Sequence, residues 1–161
     1  MDWSTLFVKT ELSAGPVATG LIFSVFALMM TGTRLCGDWL VERYGSLRVG
    51  QVSTILGTVG IFVFAISTTV PLAFVGAILS GAGVAIVYPQ AMSAAAGRPG
   101  RADENVAAMS LFAFLAFMVA PPAIGALADW TSLRFSLLLL APLAATSYLL
   151  SWELTKEIKR S

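Results

Sequence analysis

Five predominantly apolar stretches, at 15–36, 49–69, 72–95, 106–128 and 133–152, leave this chain few ways to fold. Each runs to about 20 residues, the length a helix needs to cross roughly 30 Å of hydrocarbon. Hydrophobic residues make up 57% of the sequence, above the 45–50% of ordinary soluble domains. Lipid offers the backbone no hydrogen-bonding partner, so each stretch must satisfy its own N–H and C=O groups as a helix. Val, Ile and Thr favour strand in water, but that preference is overridden here. The apolar residues run on without alternating, which excludes a transmembrane barrel. The expected architecture is an all-α, polytopic transmembrane bundle of five full spans. A short segment, Asp2 to Val8, reads as the outer end of a sixth helix.

Charge is scarce in this chain, so its placement sets the topology. Arg34, Arg43 and Arg48 flank the first connection, Arg98 and Arg101 sit in 97–104, and Lys156, Lys159 and Arg160 follow the last span. Strict alternation of the spans puts these eight on one side and only Lys9 and Arg134 on the other. The positive-inside rule then assigns 37–48, 97–104 and 153–161 to the cytoplasm. Ser67 to Pro71 and Asp129 to Ser132 become tight extracytoplasmic turns, and Trp130 and Trp152 lie at span ends as interfacial aromatics do. The N-terminus is thereby outside, yet residues 1–12 contain Asp2, Lys9 and Glu11 and lack the apolar core of a signal peptide. The expectation is a fragment whose physical unit has six spans here.

The densest charge falls at 34–48, where Arg34, Asp38, Glu42, Arg43 and Arg48 lie between two apolar stretches. Arg34 and Asp38 are spaced i,i+4, so on a continuous helix they share a face and can pair. Glu42 and Arg43 are expected to begin the turn, and Gly45 permits a positive φ. In this position the run resembles the signature loop of the major facilitator superfamily, written as Gly, two or three residues, Asp-Arg-x-Gly, then basic residues. Glu42-Arg43-Tyr44-Gly45 stands for Asp-Arg-x-Gly and Arg48 follows, while Arg34, Gly37 and Asp38 match a common upstream extension. The departures are Glu42 for the usual Asp, Ser46-Leu47 for paired basic residues, and a glycine one position before Asp38.

A second stretch, Ala120-Pro121-Pro122 through Gly125 to Asp129-Trp130 and Arg134, is similar to the fifth or eleventh helix of such transporters. The basic tail fits a C-terminal half, so the spans would correspond to helices eight to twelve and residues 2–12 to the end of helix seven. The resemblance implies a twelve-helix carrier of a small solute working by alternating access about a central site. It also implies a lipid bilayer of the inner membrane as setting, a cytoplasmic C-terminus and an N-terminal half as partner. On this reading Asp38 and Arg43 help latch one conformer against a neighbouring helix. The alternative is a non-transporting remnant, or an assembly or regulatory protein of the same fold.

Polar groups within spans usually face a cavity or another helix. Tyr88, Pro89 and Gln90 form the richest cluster. Proline frees a backbone carbonyl, and the phenol and amide can meet a solute or an adjacent helix. Ser110 is a further candidate, while Gln51 and Asn105 lie near span ends and suit capping. Pro121 and Pro122 are expected to kink their helix. Gly76, Ser80, Gly81 and Gly83 make one small-residue face, and Gly57 and Gly60 another, as close helix packing requires. Phe112, Phe114 and Phe117 suit lipid, a helix or a cavity.

Several functional classes are excluded. The chain has no His, and its carboxylates sit at span ends or in loops, so neither a His-dependent intramembrane serine protease nor a His-Glu-x-x-His metalloprotease fits. The single Cys36 allows no internal disulfide. No catalytic residue, metal, cofactor or nucleic-acid partner is expected. A titrating group for proton coupling would belong to the other half.

Overall fold

The computed structural model describes the backbone of residues 2–158 and the side chains of residues 3–146. Trp152, Lys156, Lys159 and Arg160, expected at the end of the last span and in the tail, lie outside the residues whose side chains are described. The described chain forms seven helices and no strand: α1 (Asp2–Thr10), α2 (Pro16–Leu35), α3 (Gly37–Tyr44), α4 (Ser46–Ile66), α5 (Val70–Ala96), α6 (Ala102–Trp130) and α7 (Leu133–Ile158). Four of them, α2, α4, α5 and α6, are long and apolar enough to cross a membrane. The described part of α7, Leu133–Thr146, is a shorter apolar helix. The chain is thus a polytopic helical bundle.

The α4–α5 hairpin is the axis of the bundle, and its closeness follows from the small residues. Gly57 and Gly60 of α4 meet Gly83 and Ser80 of α5, and Gly76 faces the backbone of Phe64. A Cβ on Gly60 would stand 2.7 Å from the Leu79 carbonyl carbon, and one on Gly83 would stand 2.7 Å from Ser53 O. Apart from Gly81, the two small-residue faces expected separately are therefore the two sides of one contact. On another side of α5, Gly81 lets α2 approach, with Phe26 O only 2.6 Å from where a Cβ would be. Helix α7 packs on α4, and α6 touches α5 and α7 lightly.

The buried hydrophobic side chains gather in two clusters, one at each end of this hairpin. At one end Phe7 and Val8 of α1 pack with Ile22, Phe64, Ala65, Ala73, Ala77, Leu133 and Leu137. At the other end Val49, Ala85 and Ile86 gather Met30, Leu40 and Val41. By contrast, α2 buries only Ile22 and α6 buries nothing. Hydroxyls within the apolar helices are mostly spent on their own backbone, as in Thr54 to Gly50 O, Thr58 to Thr54 O and Ser80 to Ala77 O. Such back-bonding lets Ser and Thr lie in a helix without exposing an unpaired group to lipid.

Helix α4 starts at Ser46 and ends at Ile66, three residues earlier at each end than the apolar run alone suggests. Gly45 sets its start with φ +83°, and Ser67 closes its end by hydrogen-bonding back to Phe64 O with both its N–H and its hydroxyl. Helix α6 runs without interruption through Pro121 and Pro122.

Candidate functional site

The charged run is a helix rather than a turn. At Cys36 the backbone departs from ideal helix dihedrals (φ −91°, ψ −4°), so α2 ends there, the path bends and α3 begins at once. Asp38 in the first turn and Arg43 in the last both complement the dipole of this short helix. Glu42 and Arg43 therefore occupy the last turn of α3, and the reversal of the chain falls at Gly45. Arg43 lies over the rings of Trp39 and Tyr44, 5.5 and 5.9 Å from their centroids.

The expected Arg34–Asp38 pair does not form. The bend at Cys36 separates the two side chains, and Arg34 turns to α5, donating from Nε to Ala85 O at 3.1 Å. Asp38, Glu42 and Arg48 are exposed and make no hydrogen bond or ion pair among the described residues. Gly37 is buried against Ile86, whose Cγ1 would lie 3.7 Å from a Cβ placed there.

The α5 candidates divide. Gln90 donates from Nε2 to Ser46 O at 3.0 Å, across to the start of α4. Gly50 makes room for it, since a Cβ there would meet Gln90 Oε1 at 2.5 Å. Tyr88 is 42% exposed, and its hydroxyl has no partner among the described residues. Ser110 donates to Val106 O of its own helix at 2.8 Å. Asn105 reaches back to Arg98 O and closes the α5–α6 loop.

Between the helices lies an apolar cavity of about 450 Å³, walled by Trp3, Phe26, Phe64, Phe117 and Leu137, with Ser4 and Ser80 its polar residues. No charged side chain lines it, and neither do Tyr88, Gln90 or Ser110. Pro121 borders a smaller space of about 360 Å³ with Trp3, Leu6, Lys9 and Thr19. Gly125 admits the Trp3 indole, whose Cη2 would lie 3.0 Å from a Cβ. Phe112 and Phe114 point away from the bundle.

At the opposite end of the molecule Arg134 joins three elements. Its Nη1 donates to Ala65 O at 2.9 Å and Ser67 O at 2.8 Å, where α4 ends. Its Nε lies 3.6 Å from Glu11 Oε2 beyond α1, and its guanidinium covers the Phe7 ring at 5.0 Å. In the sequence Arg134 stands out only as one of two cations on the sparsely charged side. Its carbonyl partners are 67 and 69 residues away in the chain and leave no local signal.

Comparison with known proteins places these features in a family. A sequence profile of the Major Facilitator Superfamily matches residues 3–161. The chain is 32% identical over 146 residues to the uncharacterised transporter y4wD of Sinorhizobium fredii, covering 90% of this chain and 39% of that protein. It is 30% identical over 152 residues to an uncharacterised MFS-type transporter of Yersinia pestis, covering 91% and 40%. The uncharacterised MFS-type transporter YhhS of Escherichia coli is 27% identical over 135 residues, covering 83% and 33%. The chain thus spans about two fifths of the length of the nearer of these relatives. No solved structure matches it significantly.

Proposed function

The chain belongs to the Major Facilitator Superfamily, and on that premise we propose that it is the C-terminal half of a secondary carrier that moves a small solute by alternating access. The observation that carries this reading is the charged hairpin. Asp38, Glu42 and Arg48 are held on or beside a short, well-formed helix, yet they have no partner among the described residues of this chain. Charges positioned but unpaired suit contacts made by another body, and a preceding half of the carrier supplies one. Helices α2 and α6 support the same reading. They bury least, and α2 leaves Gly20, Ser24, Thr31 and Gly32 exposed along its length. Small and hydroxyl-bearing residues suit helix contacts better than lipid.

In this proposal α3 lies at the cytoplasmic face of the inner membrane, with the C-terminus on the same side. Asp38 and Arg43 meet the other half in one conformer and release it in the other, which shifts the balance of states. The solute contact on this half falls to Tyr88, whose hydroxyl is uncommitted, rather than to Gln90 or Ser110, whose donors are engaged. No enzymatic step is involved.

The test uses the full-length carrier in inverted membrane vesicles, with uptake measured for a panel of labelled sugars, organic anions and lipophilic cations. Asp38→Asn is expected to lower the uptake rate and change the fraction of Cys36 labelled by maleimide, while Tyr88→Phe raises KM. Unchanged rate and labelling in Asp38→Asn would overturn the latch. Absence of uptake for every solute by the intact carrier would favour the non-transporting alternative.

A further inference from the structure

One backbone donor is missing from α5, and the side chain that replaces it comes from the charged run. A residue at 89 with an amide hydrogen would donate to the carbonyl of Ala85, four residues back. Proline has no such hydrogen, and its ring crowds that carbonyl. A carbonyl freed inside a membrane helix needs a donor from a neighbouring element. Arg34 provides it, with Nε 3.1 Å from Ala85 O. Ala85 is fully buried beneath the partly exposed Arg34 side chain.

Two neighbouring contacts turn this bond into a joint. Gly37, three residues beyond Arg34, seats on Ile86, the residue after Ala85. On the other side of Pro89, Gln90 Nε2 holds Ser46 O at 3.0 Å. Helix α5 is therefore fastened to the α2–α3 junction just before Pro89, and to the α3–α4 junction just after it. Val49 packs with Ala85 and Ile86 and fills the space between the two fasteners.

We propose that Arg34 is the surrogate backbone donor for Pro89, so that the turn of α5 before Pro89 and the α2–α3–α4 hairpin move as one unit. A change of bend at Pro89 displaces Ala85 O and carries Arg34 with it, and a load on α3 returns by the same route to α5. Arg34 then acts as a positioning residue. Its role does not depend on Asp38, on the identity of any solute, or on transport itself.

A double-mutant cycle separates this role from that of a general positive charge at the membrane surface. Cys36, the only cysteine of the chain, is exposed and adjoins the α2–α3 bend, so its maleimide labelling rate reports how firmly the junction is held. In membranes, Arg34→Gln is expected to raise that rate roughly two- to tenfold, as loss of one net hydrogen bond implies. Pro89→Ala restores an amide at 89 that can serve Ala85 O, so adding Arg34→Gln to it should change the rate by less than about twofold. An equal effect of Arg34→Gln in both backgrounds, or no effect in either, overturns the proposal. Should Arg34→Gln fail to accumulate, accumulation becomes the readout. Pro89→Ala or Pro89→Ser must then restore it, and failure of both to do so overturns the proposal equally.

Discussion

Replacing Gly76 by alanine adds one methyl group within the close α4–α5 contact, and the structure sets what that methyl meets. The new Cβ would lie 2.5 Å from Phe64 N, 2.6 Å from its Cα and 2.7 Å from its Cβ. Carbon atoms rest at about 3.5–4.0 Å, so the helices must part by roughly 1 Å at this point. None of the three atoms belongs to the free end of a flexible side chain, and Phe64, Ala73 and Ala77 around them are buried, so the shift cannot be absorbed locally. Overpacking of this kind costs about 1–3 kcal/mol. Helix propensity works the other way, favouring alanine over glycine by about 1 kcal/mol. In this chain by itself Gly20→Ala separates the two effects, because nothing in it lies within 4 Å of a Cβ at Gly20 and only the propensity gain remains. Gly76→Ala should therefore be less stable than Gly20→Ala by about 1–3 kcal/mol. The difference can be measured by SDS titration of the protein in mixed micelles, followed by tryptophan fluorescence. Equal stability of the two variants, or the reverse order, would refute the close-packed hairpin as the axis of the fold.

Two further outcomes follow from single residues. Arg134→Gln loses charge-assisted bonds to Ala65 O and Ser67 O and the contact with Glu11. With the side chain 29% exposed, it should destabilise the same SDS transition by about 1–3 kcal/mol, and Arg134→Lys by less, since the ammonium keeps the charge although it cannot span all three partners. Cys36 should react with a membrane-impermeant maleimide in inverted vesicles and not in right-side-out ones. Labelling from the outer side would reverse the proposed orientation.

The apolar runs made the helices legible because the bilayer imposes a minimum length and one backbone solution on any segment that crosses it. The positions of Gly57, Gly60, Gly76 and Gly83 also showed two faces able to pack closely, though not that each was the other's partner. Pairing depends on which helices are neighbours, and a membrane helix sequence carries little record of that. The charged run was readable as a feature and misread in its contacts. Spacing of i,i+4 brings Arg34 and Asp38 together only on a continuous helix, and the bend at Cys36 removes that condition. Gln90 was readable as a polar group needing a partner, but whether the partner is a solute or Ser46 O depends on how α4 begins.

Residue order alone therefore determined what is local here: the apolar runs that become helices, the bias of positive charge, the missing amide at Pro89 and the freedom of Gly45. Tertiary structure decided where each unsatisfied group found its complement. Arg34 reaches a carbonyl 51 residues away, and Arg134 reaches two that are 67 and 69 residues away. The physical reason is the same in both cases. In lipid a freed carbonyl or a partly buried guanidinium must be paired by whatever the packing brings within about 3 Å, and packing at such separations is a property of the assembled bundle, not of any stretch of sequence.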